Sequence, residues 1–217
     1  MGVATSVIRP AAEPDLPFLI WTMRTAATSH LERCLWDVLL GLESNDTDAA
    51  LSAAAVSARP HWCHLRRFWI AELNGQPAGA LSAYDTTTEG SAVLEEALAA
   101  TASILSLDDA ALGSVLQRGG LLRDCTPADY PAAWGIENVA VVPEGRGTGI
   151  VDELLDQALR LGRDQGYDHA QILCLNGNLR AQRTWERQGF EVRADYRHQL
   201  FAETFGCPGM KMLVQRL

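Results

Sequence analysis

Apolar and polar positions follow two different periods along this chain, and together they predict a mixture of strands and helices. Over 149–166, apolar residues recur every three or four positions while acidic and basic residues fill the positions between them, which indicates an amphipathic helix. Two apolar runs around Asn74-Gly75 predict a β-hairpin with a tight turn. Predicted strands are 6–9, 68–73, 77–84, 134–142, 171–175, 190–197 and 210–215; predicted helices are 13–28, 29–41, 46–59, 92–105, 108–118, 149–166 and 178–189.

This order of elements constrains the fold class. Strands and helices are interspersed to the end of the chain, which is typical of an α/β or α+β sheet with helices on both faces. The chain has 217 residues, enough to bury a substantial core without disulfides or metals.

Charge and cysteine content narrow the functional classes. The formal net charge is −9, which disfavours a nucleic-acid partner and is compatible with a cationic substrate. The five cysteines are scattered and contain no C-x-x-C pair, so we expect a reducing compartment and a cytoplasmic protein. No apolar run is long enough to span a bilayer, and we expect no membrane association.

Three glycines stand at alternate positions just before the predicted helix at 149–166. The N-terminus of a helix carries unpaired N–H groups and a partial positive charge, and glycines let a ligand approach without interference from a Cβ atom. Gly145, Gly147 and Gly149 therefore predict an anion site, with phosphate as the usual occupant, and a simple strand-to-helix turn is the alternative. The absence of a lysine after Gly149 argues against a P-loop, and the spacing does not fit G-x-G-x-x-G.

Two stretches of the C-terminal half resemble a known family. Residues 146–151, Arg-Gly-Thr-Gly-Ile-Val, are similar to the acyl-CoA signature [RQ]-x-x-G-x-[GA] of the GNAT superfamily of N-acyltransferases. Residues 178–190 follow the second signature of that superfamily, N-x-x-A-x-x-x-Y-x-x-x-G-F, with Trp185 in place of the tyrosine. The resemblance is strong over 134–197 and looser over the first strand, first helix and hairpin.

The resemblance implies a fold. We expect a mixed, mostly antiparallel sheet of six or seven strands, with helices on both faces and a splayed central strand pair that admits coenzyme A. The whole chain, 1–217, would form a single N-acetyltransferase domain. Helical elaborations at about 30–64 and 86–133 would cover the acceptor side.

The resemblance also implies a coenzyme site for acetyl-CoA. The pyrophosphate would lie on main-chain N–H groups of the glycine-rich turn, and the pantetheine arm would pair with the strand before it. Residues that the resemblance assigns to the coenzyme are Val139, Ala140, Val141, Arg146, Gly147, Thr148, Gly149, Ile150, Val151, Asn178, Ala181 and Trp185.

The chain departs from the family pattern at two positions. Val151 replaces the usual Gly or Ala, and a β-branched residue there narrows the approach of the pyrophosphate. Trp185 replaces a tyrosine that in the family often protonates the departing thiolate, and an indole N–H is not a usable acid. The proton would then come from water or from Tyr84, Tyr130 or Tyr196. Asn178 also has a simpler interpretation as a helix N-cap, and Trp185 as core packing.

Glu137 is the candidate general base. It lies on the predicted strand two residues before Val139, where the family usually places a carboxylate, and burial in an apolar strand would raise its pKa. A structural salt bridge is the alternative role for this carboxylate. The stretch His61-Trp62-Cys63-His64 suggests zinc, but no second ligand pair with zinc spacing follows, and we expect no metal.

The sequence therefore predicts an acetyl-CoA-dependent N-acetyltransferase that acts by direct attack of an amine. The acceptor would be a primary amine, either a small molecule or a peptide, and the protein a monomer or homodimer. The alternative is a catalytically silent acyl-CoA-binding or regulatory module with the same fold; a phosphate-binding scaffold for nucleotides is a third hypothesis.

Overall fold

The computed structural model describes residues 6–102 and 107–217 and is built around one sheet. The sheet has seven strands in the spatial order β1-β2-β3-β4-β5-β7-β6. The strands are β1 (Ser6–Pro10), β2 (Phe68–Leu73), β3 (Gln76–Asp85), β4 (Trp134–Val141), β5 (His169–Leu175), β6 (Glu191–Arg197) and β7 (Gly209–Arg216). All neighbouring pairs are antiparallel except β4 and β5, which run parallel. The mostly antiparallel mixed sheet expected from the sequence is confirmed.

Helices cover both faces of this sheet. In the described residues they are α1 (Leu16–Thr28), α2 (Leu35–Leu40), α3 (Ser44–Ala55), α4 (Thr86–Glu89), α5 (Ser91–Ala102), α6 (Asp109–Asp124), α7 (Ile150–Asp164), α8 (Leu179–Arg187) and α9 (Gln199–Phe205). One buried cluster joins α1, α2, α3, α5 and α9 to β2 and β3. A second cluster joins α7 and α8 to the opposite face. None of the described helices has the length and apolar content needed to cross a membrane.

Side chains of β4 alternate between these two layers. Trp134 and Ile136 belong to the cluster beneath α7 and α8. Since successive side chains of a strand point to opposite faces, Gly135 and Glu137 lie on the face covered by α1. This alternation decides which groups can meet Glu137.

Most predicted elements are present at nearly the predicted bounds, and the hairpin is an instructive case. Asn74 and Gly75 both have positive φ, at 53° and 74°, as a two-residue type I′ turn requires. The turn joins β2 to β3 and places Leu73 opposite Gln76, so the predicted hairpin is present.

The differences lie mainly in the helices. The helix predicted over 29–41 begins only at Leu35, and the helix predicted over 46–59 ends at Ala55. Two short helices, α4 and α9, were not predicted. The helix predicted over 92–105 is described as far as Ala102, and its last three positions lie outside the described residues.

Candidate active site

The three glycines of the turn after β4 serve two different purposes. Gly147 and Gly149 have φ of +80° and +94°, and a Cβ added to either would meet nothing within 4 Å. They provide a backbone conformation that other residues rarely adopt, and the space beside them is open. Gly145 is instead required for packing, because a Cβ there would come 2.9 Å from Val141 Cγ1 and 3.1 Å from Ile150 Cδ1.

The turn leaves a set of main-chain donors at the N-terminus of α7. Arg146 N–H donates to the Pro143 carbonyl at 3.2 Å, and Thr148 N–H to the Gly145 carbonyl at 3.4 Å. These two N–H groups, which the sequence placed among the anion donors, are thus used inside the turn. Within the described chain, the N–H groups of Gly147, Gly149 and residues 150–152 have no acceptor. They can bind an anion at the positive end of the helix dipole.

The parallel pair β4–β5 separates just beyond its first residues. Their ladder runs from Trp134–Ala170 to Ile136–Ile172 and goes no further, although β4 continues to Val141 with β3 beside it. The edge of β4 from residue 137 onward is therefore not covered by β5. This is the splayed strand pair that the resemblance implied, and it exposes the main chain to which a pantetheine arm could bond.

A bulge accompanies this separation. Asn138 has φ of 55°, and the β3–β4 register shifts between Ala80 and Ser82. The Asn138 side chain is buried and donates to the Trp62 carbonyl at 3.2 Å and to Ser82 Oγ at 3.1 Å. These hydrogen bonds hold the bulge in place next to Glu137.

Glu137 lies at the point where β4 and β5 separate. Its side chain is half-buried. Burial, together with the negative charge of Asp129, raises the pKa of this carboxyl to about 8, against a smaller lowering by the main-chain N–H of Leu173. Among the ion pairs of the described residues, none involves Glu137. A carboxyl that titrates near neutral pH can accept a proton from an incoming group.

Sequence reasoning missed two residues of this site. Asp129 lies in the loop between α6 and β4, and its carboxylate accepts a hydrogen bond from Gln171 Nε2 at 2.5 Å. Gln171 stands on β5 opposite Gly135. No local pattern could have revealed them, because the contact depends on the pairing of β4 with β5.

Of the three tyrosines considered as proton donors, the structure brings Tyr84 to this site. Tyr84 is buried, its ring lies against Gly135, and the charges of Glu137 and Asp129 both act on it. Tyr130 packs its ring against His169, and Tyr196 is exposed on the edge strand β6.

The second signature forms the start of α8. Asn178 is the N-cap: its side-chain oxygen accepts from Ala181 N–H at 3.0 Å, while its amide donates to Ser29 Oγ at 2.5 Å. Trp185 is only 7% exposed, and its Nε1 atom is buried with no hydrogen-bond partner in the part of the chain that the structure describes. This donor is therefore available to an acceptor on a bound molecule.

The histidines of the HWCH stretch have structural roles. His61 Nε2 donates to the Ala54 carbonyl at 3.1 Å, and its Nδ1 accepts from Cys63 N–H at 3.2 Å. Burial lowers the pKa of His61 to about 4. His64 is engaged in the same way with the Ser57 carbonyl and Arg66 N–H. A search of residues 6–102 and 107–217 finds no group of His, Cys, Asp and Glu arranged to hold a metal.

These features together fit coenzyme A. The open N–H groups at α7 suit a pyrophosphate, the uncovered edge of β4 suits an amide-containing arm, and the unpartnered Trp185 Nε1 lies on α8, on the same face of the sheet as α7.

Comparison with known proteins assigns the family. The model of the acetyltransferase (GNAT) family matches residues 36–190, which is more than half of the chain. The chain belongs to this family. No curated protein sequence gives a significant match.

Solved structures share the fold at low sequence identity. An N-acetyltransferase from Staphylococcus aureus is 18% identical, with a TM-score of 0.66 over 96% of this chain and 99% of that one. An agmatine N-acetyltransferase variant in its apo form is 15% identical, with a TM-score of 0.54 over 98% and 99% of the two chains. N-acetylglutamate synthase from Neisseria gonorrhoeae, complexed with coenzyme A and L-arginine, is 16% identical, with a TM-score of 0.50 over 99% of this chain and 34% of that one.

Proposed function

We propose that this protein transfers the acetyl group of acetyl-CoA to a primary amine by direct attack of the amine on the thioester. Membership of the GNAT acetyltransferase family supports the reaction class. Relatives of the same fold named for agmatine acetylation, or crystallised with coenzyme A and an amino acid, support a small-molecule amine as the acceptor. The helical segments around 30–64 and 86–133 would cover the acceptor side of one domain.

Main-chain groups of the protein would bind the coenzyme at its pyrophosphate and along its pantetheine arm. The N–H groups of Gly147, Gly149 and the first residues of α7 would bind the pyrophosphate, and β4 from Val139 to Val141 would pair with the pantetheine arm. Asn178, Ala181 and Trp185 of the second signature would border its thiol end. When bound, acetyl-CoA supplies the acetyl thioester, and a main-chain N–H of β4 would polarise its carbonyl.

The position and titration of Glu137 carry the catalytic part of the proposal. An alkyl ammonium has a pKa near ~10, so a protein group must take a proton before the amine can attack near neutral pH. Glu137 sits where β4 and β5 separate, and its pKa of about 8 suits a general base. Glu137 takes one proton from the ammonium, and the free amine then attacks the thioester carbonyl. As the C–S bond breaks, the second nitrogen proton passes through water to the departing thiolate.

The departing thiolate would take its proton from water. Trp185 can donate a hydrogen bond but cannot supply a proton. A thiol has a pKa near ~8.5, so its anion is a tolerable leaving group without a protein acid. Burial and two nearby carboxylates raise the pKa of Tyr84 well above its usual value, which makes this phenol a poor acid.

Thiol release from acetyl-CoA with a panel of amines, together with mass analysis of the products, tests the proposal. We expect Glu137→Gln to lower kcat by about 10²-fold while acetyl-CoA affinity is unchanged. Asp156→Asn, on the exposed face of α7, is the matched control and should behave as wild type. A wild-type protein that binds acetyl-CoA but acetylates no amine would favour the silent acyl-CoA-binding module instead.

A further inference from the structure

Three oxygen-bearing side chains converge on the face of the sheet that carries Glu137. Glu137 is half-buried, Tyr84 is buried, and Asp129 lies at the surface. Electrostatic interactions connect all three, because Asp129 acts on Glu137 and both carboxylates act on Tyr84. The group therefore extends from an exposed carboxylate to a half-buried one.

The exposed member of this group is held in place by a buried side chain. Gln171, on β5, is 1% exposed. Its Nε2 donates to Asp129 Oδ1 at 2.5 Å, and its Oε1 accepts from the main-chain N–H of Tyr130 at 2.6 Å. The side-chain amide of Gln171 thus uses its oxygen and its nitrogen to hold the loop before β4. These hydrogen bonds keep the Asp129 carboxylate in a defined position.

The Tyr84 hydroxyl supplies an independent observation. The side chain is more than nine-tenths buried, at 4% exposed, and it crosses Gly135 so closely that a Cβ there would lie 2.4 Å from Cζ and 2.9 Å from the hydroxyl oxygen. In the described chain this hydroxyl has no hydrogen-bond partner. It is placed near Glu137 and Asp129, whose charges both act on it. A mostly buried tyrosine whose hydroxyl bonds to no protein group of the described residues can bond to a bound molecule.

The charge of this region is also uncompensated within the described residues. Neither Asp129 nor Glu137 takes part in an ion pair there. The other ionisable groups coupled to Glu137 are Cys63 and Cys174, and burial raises the pKa of both thiols, which keeps them neutral. A cation bound beside Asp129 would reduce the repulsion between the two carboxylates.

We propose that Asp129 is a specificity residue that binds a second positive charge on the acceptor, so that the preferred substrate is a diamine or an amine bearing another cationic group. The proposal rests on the function proposed above. The reacting nitrogen would lie at Glu137 and donate a hydrogen bond to the Tyr84 hydroxyl, while the distal cation would lie at Asp129 near the surface. A simple monoamine would leave Asp129 without a partner.

Matched acceptors test this directly. Propane-, butane-, pentane- and hexane-diamine are each compared with the alkyl monoamine of the same chain length, in kcat/KM and in equilibrium binding by calorimetry. A charge-assisted hydrogen bond to a carboxylate that the buried Gln171 holds in place predicts that wild type favours its best diamine by about tenfold or more. Asp129→Asn should bring this ratio close to one. Asp124→Asn, at the exposed end of α6, is the control and should retain the ratio.

Each other outcome has a distinct meaning. Equal use of diamines and monoamines by wild type, or an undiminished preference in Asp129→Asn, overturns the proposal. A change in the pH profile of Asp129→Asn that is equal for both amine classes, with the ratio intact, shows that Asp129 only tunes Glu137 and also overturns it. If wild type acetylates none of these amines, the proposed transfer fails and calorimetric binding tests the inference. A diamine affinity that Asp129→Asn reduces then supports the inference. The absence of diamine binding overturns it.

Discussion

Replacing Trp185 by phenylalanine separates a packing role from a contact with the coenzyme. Trp185 belongs to the buried cluster that includes Cys174 and Phe190, and its Nε1 has no partner in the described residues. Removing a buried unpaired donor gains about 1–3 kcal/mol. A smaller ring loses packing energy of similar size. We therefore expect the unfolding free energy of the ligand-free protein to change by less than about 1 kcal/mol in Trp185→Phe.

Coenzyme affinity should respond differently to the same change. If Nε1 donates to the pantetheine arm or the thioester, losing that hydrogen bond costs about 1 kcal/mol, which weakens acetyl-CoA binding by about fivefold. Calorimetric titration measures the affinity, and denaturant unfolding of the ligand-free protein measures the stability. Trp185→Ala is the packing control, with a loss of roughly 3–5 kcal/mol from the cavity.

Two results would refute this reasoning. Unchanged acetyl-CoA affinity in folded Trp185→Phe would mean that the indole N–H does not contact the coenzyme. Unchanged affinity in Trp185→Ala as well would remove the side chain from the thiol end altogether, leaving only its role in the core.

Three further predictions follow from particular residues. Gly149→Asp should weaken coenzyme A binding at least about tenfold, since it adds bulk and like charge at the anion site, whereas Gly166→Asp, also at positive φ with open space, should leave the calorimetric affinity unchanged. Burial lowers the pKa of His61 from 6.5 to about 4, so between these pH values the folded state binds fewer protons than the unfolded state. The free energy of unfolding should therefore fall by about 3 kcal/mol as the pH drops from about 6.5 to about 4. Denaturant unfolding of His61→Gln should lack that part of the pH dependence, and an unchanged dependence would show that His61 is not the group responsible. Neutralising Asp129 should lower the pKa of Glu137, so that the acidic limb of the rate profile moves to lower pH in Asp129→Asn; a limb that stays in place contradicts the coupling.

The framework of the fold was predictable because its signals are local. Periodicity identified the amphipathic helix α7, Asn74-Gly75 identified the hairpin, and the two signatures predicted the family that the comparison confirms. The helix α9 also had a readable signal that the prediction overlooked: Phe201 and Phe205 recur at helical spacing, and both are buried.

The remaining features depend on contacts between distant segments. The segment before α2 continues the apolar spacing of a helix, yet Ser29 takes φ of 53° and its hydroxyl accepts from Asn178. That contact joins residues far apart in sequence, so no window of local pattern contains it. The juxtaposition of Asp129 with Glu137 likewise requires the pairing of Gly135 with Gln171 across β4 and β5.

The pH dependence of kcat/KM for a confirmed amine acceptor, measured in wild type and Glu137→Gln, tests the central claim most directly. The acceptor amine titrates identically in both assays, so an acidic limb present only in wild type belongs to Glu137. Since the pKa of Glu137 is about 8, the account predicts a wild-type limb near that value, and a Glu137→Gln enzyme that is about 10²-fold slower and lacks this limb. A Glu137→Gln enzyme with wild-type rate and the same limb would contradict the assignment of Glu137 as the base.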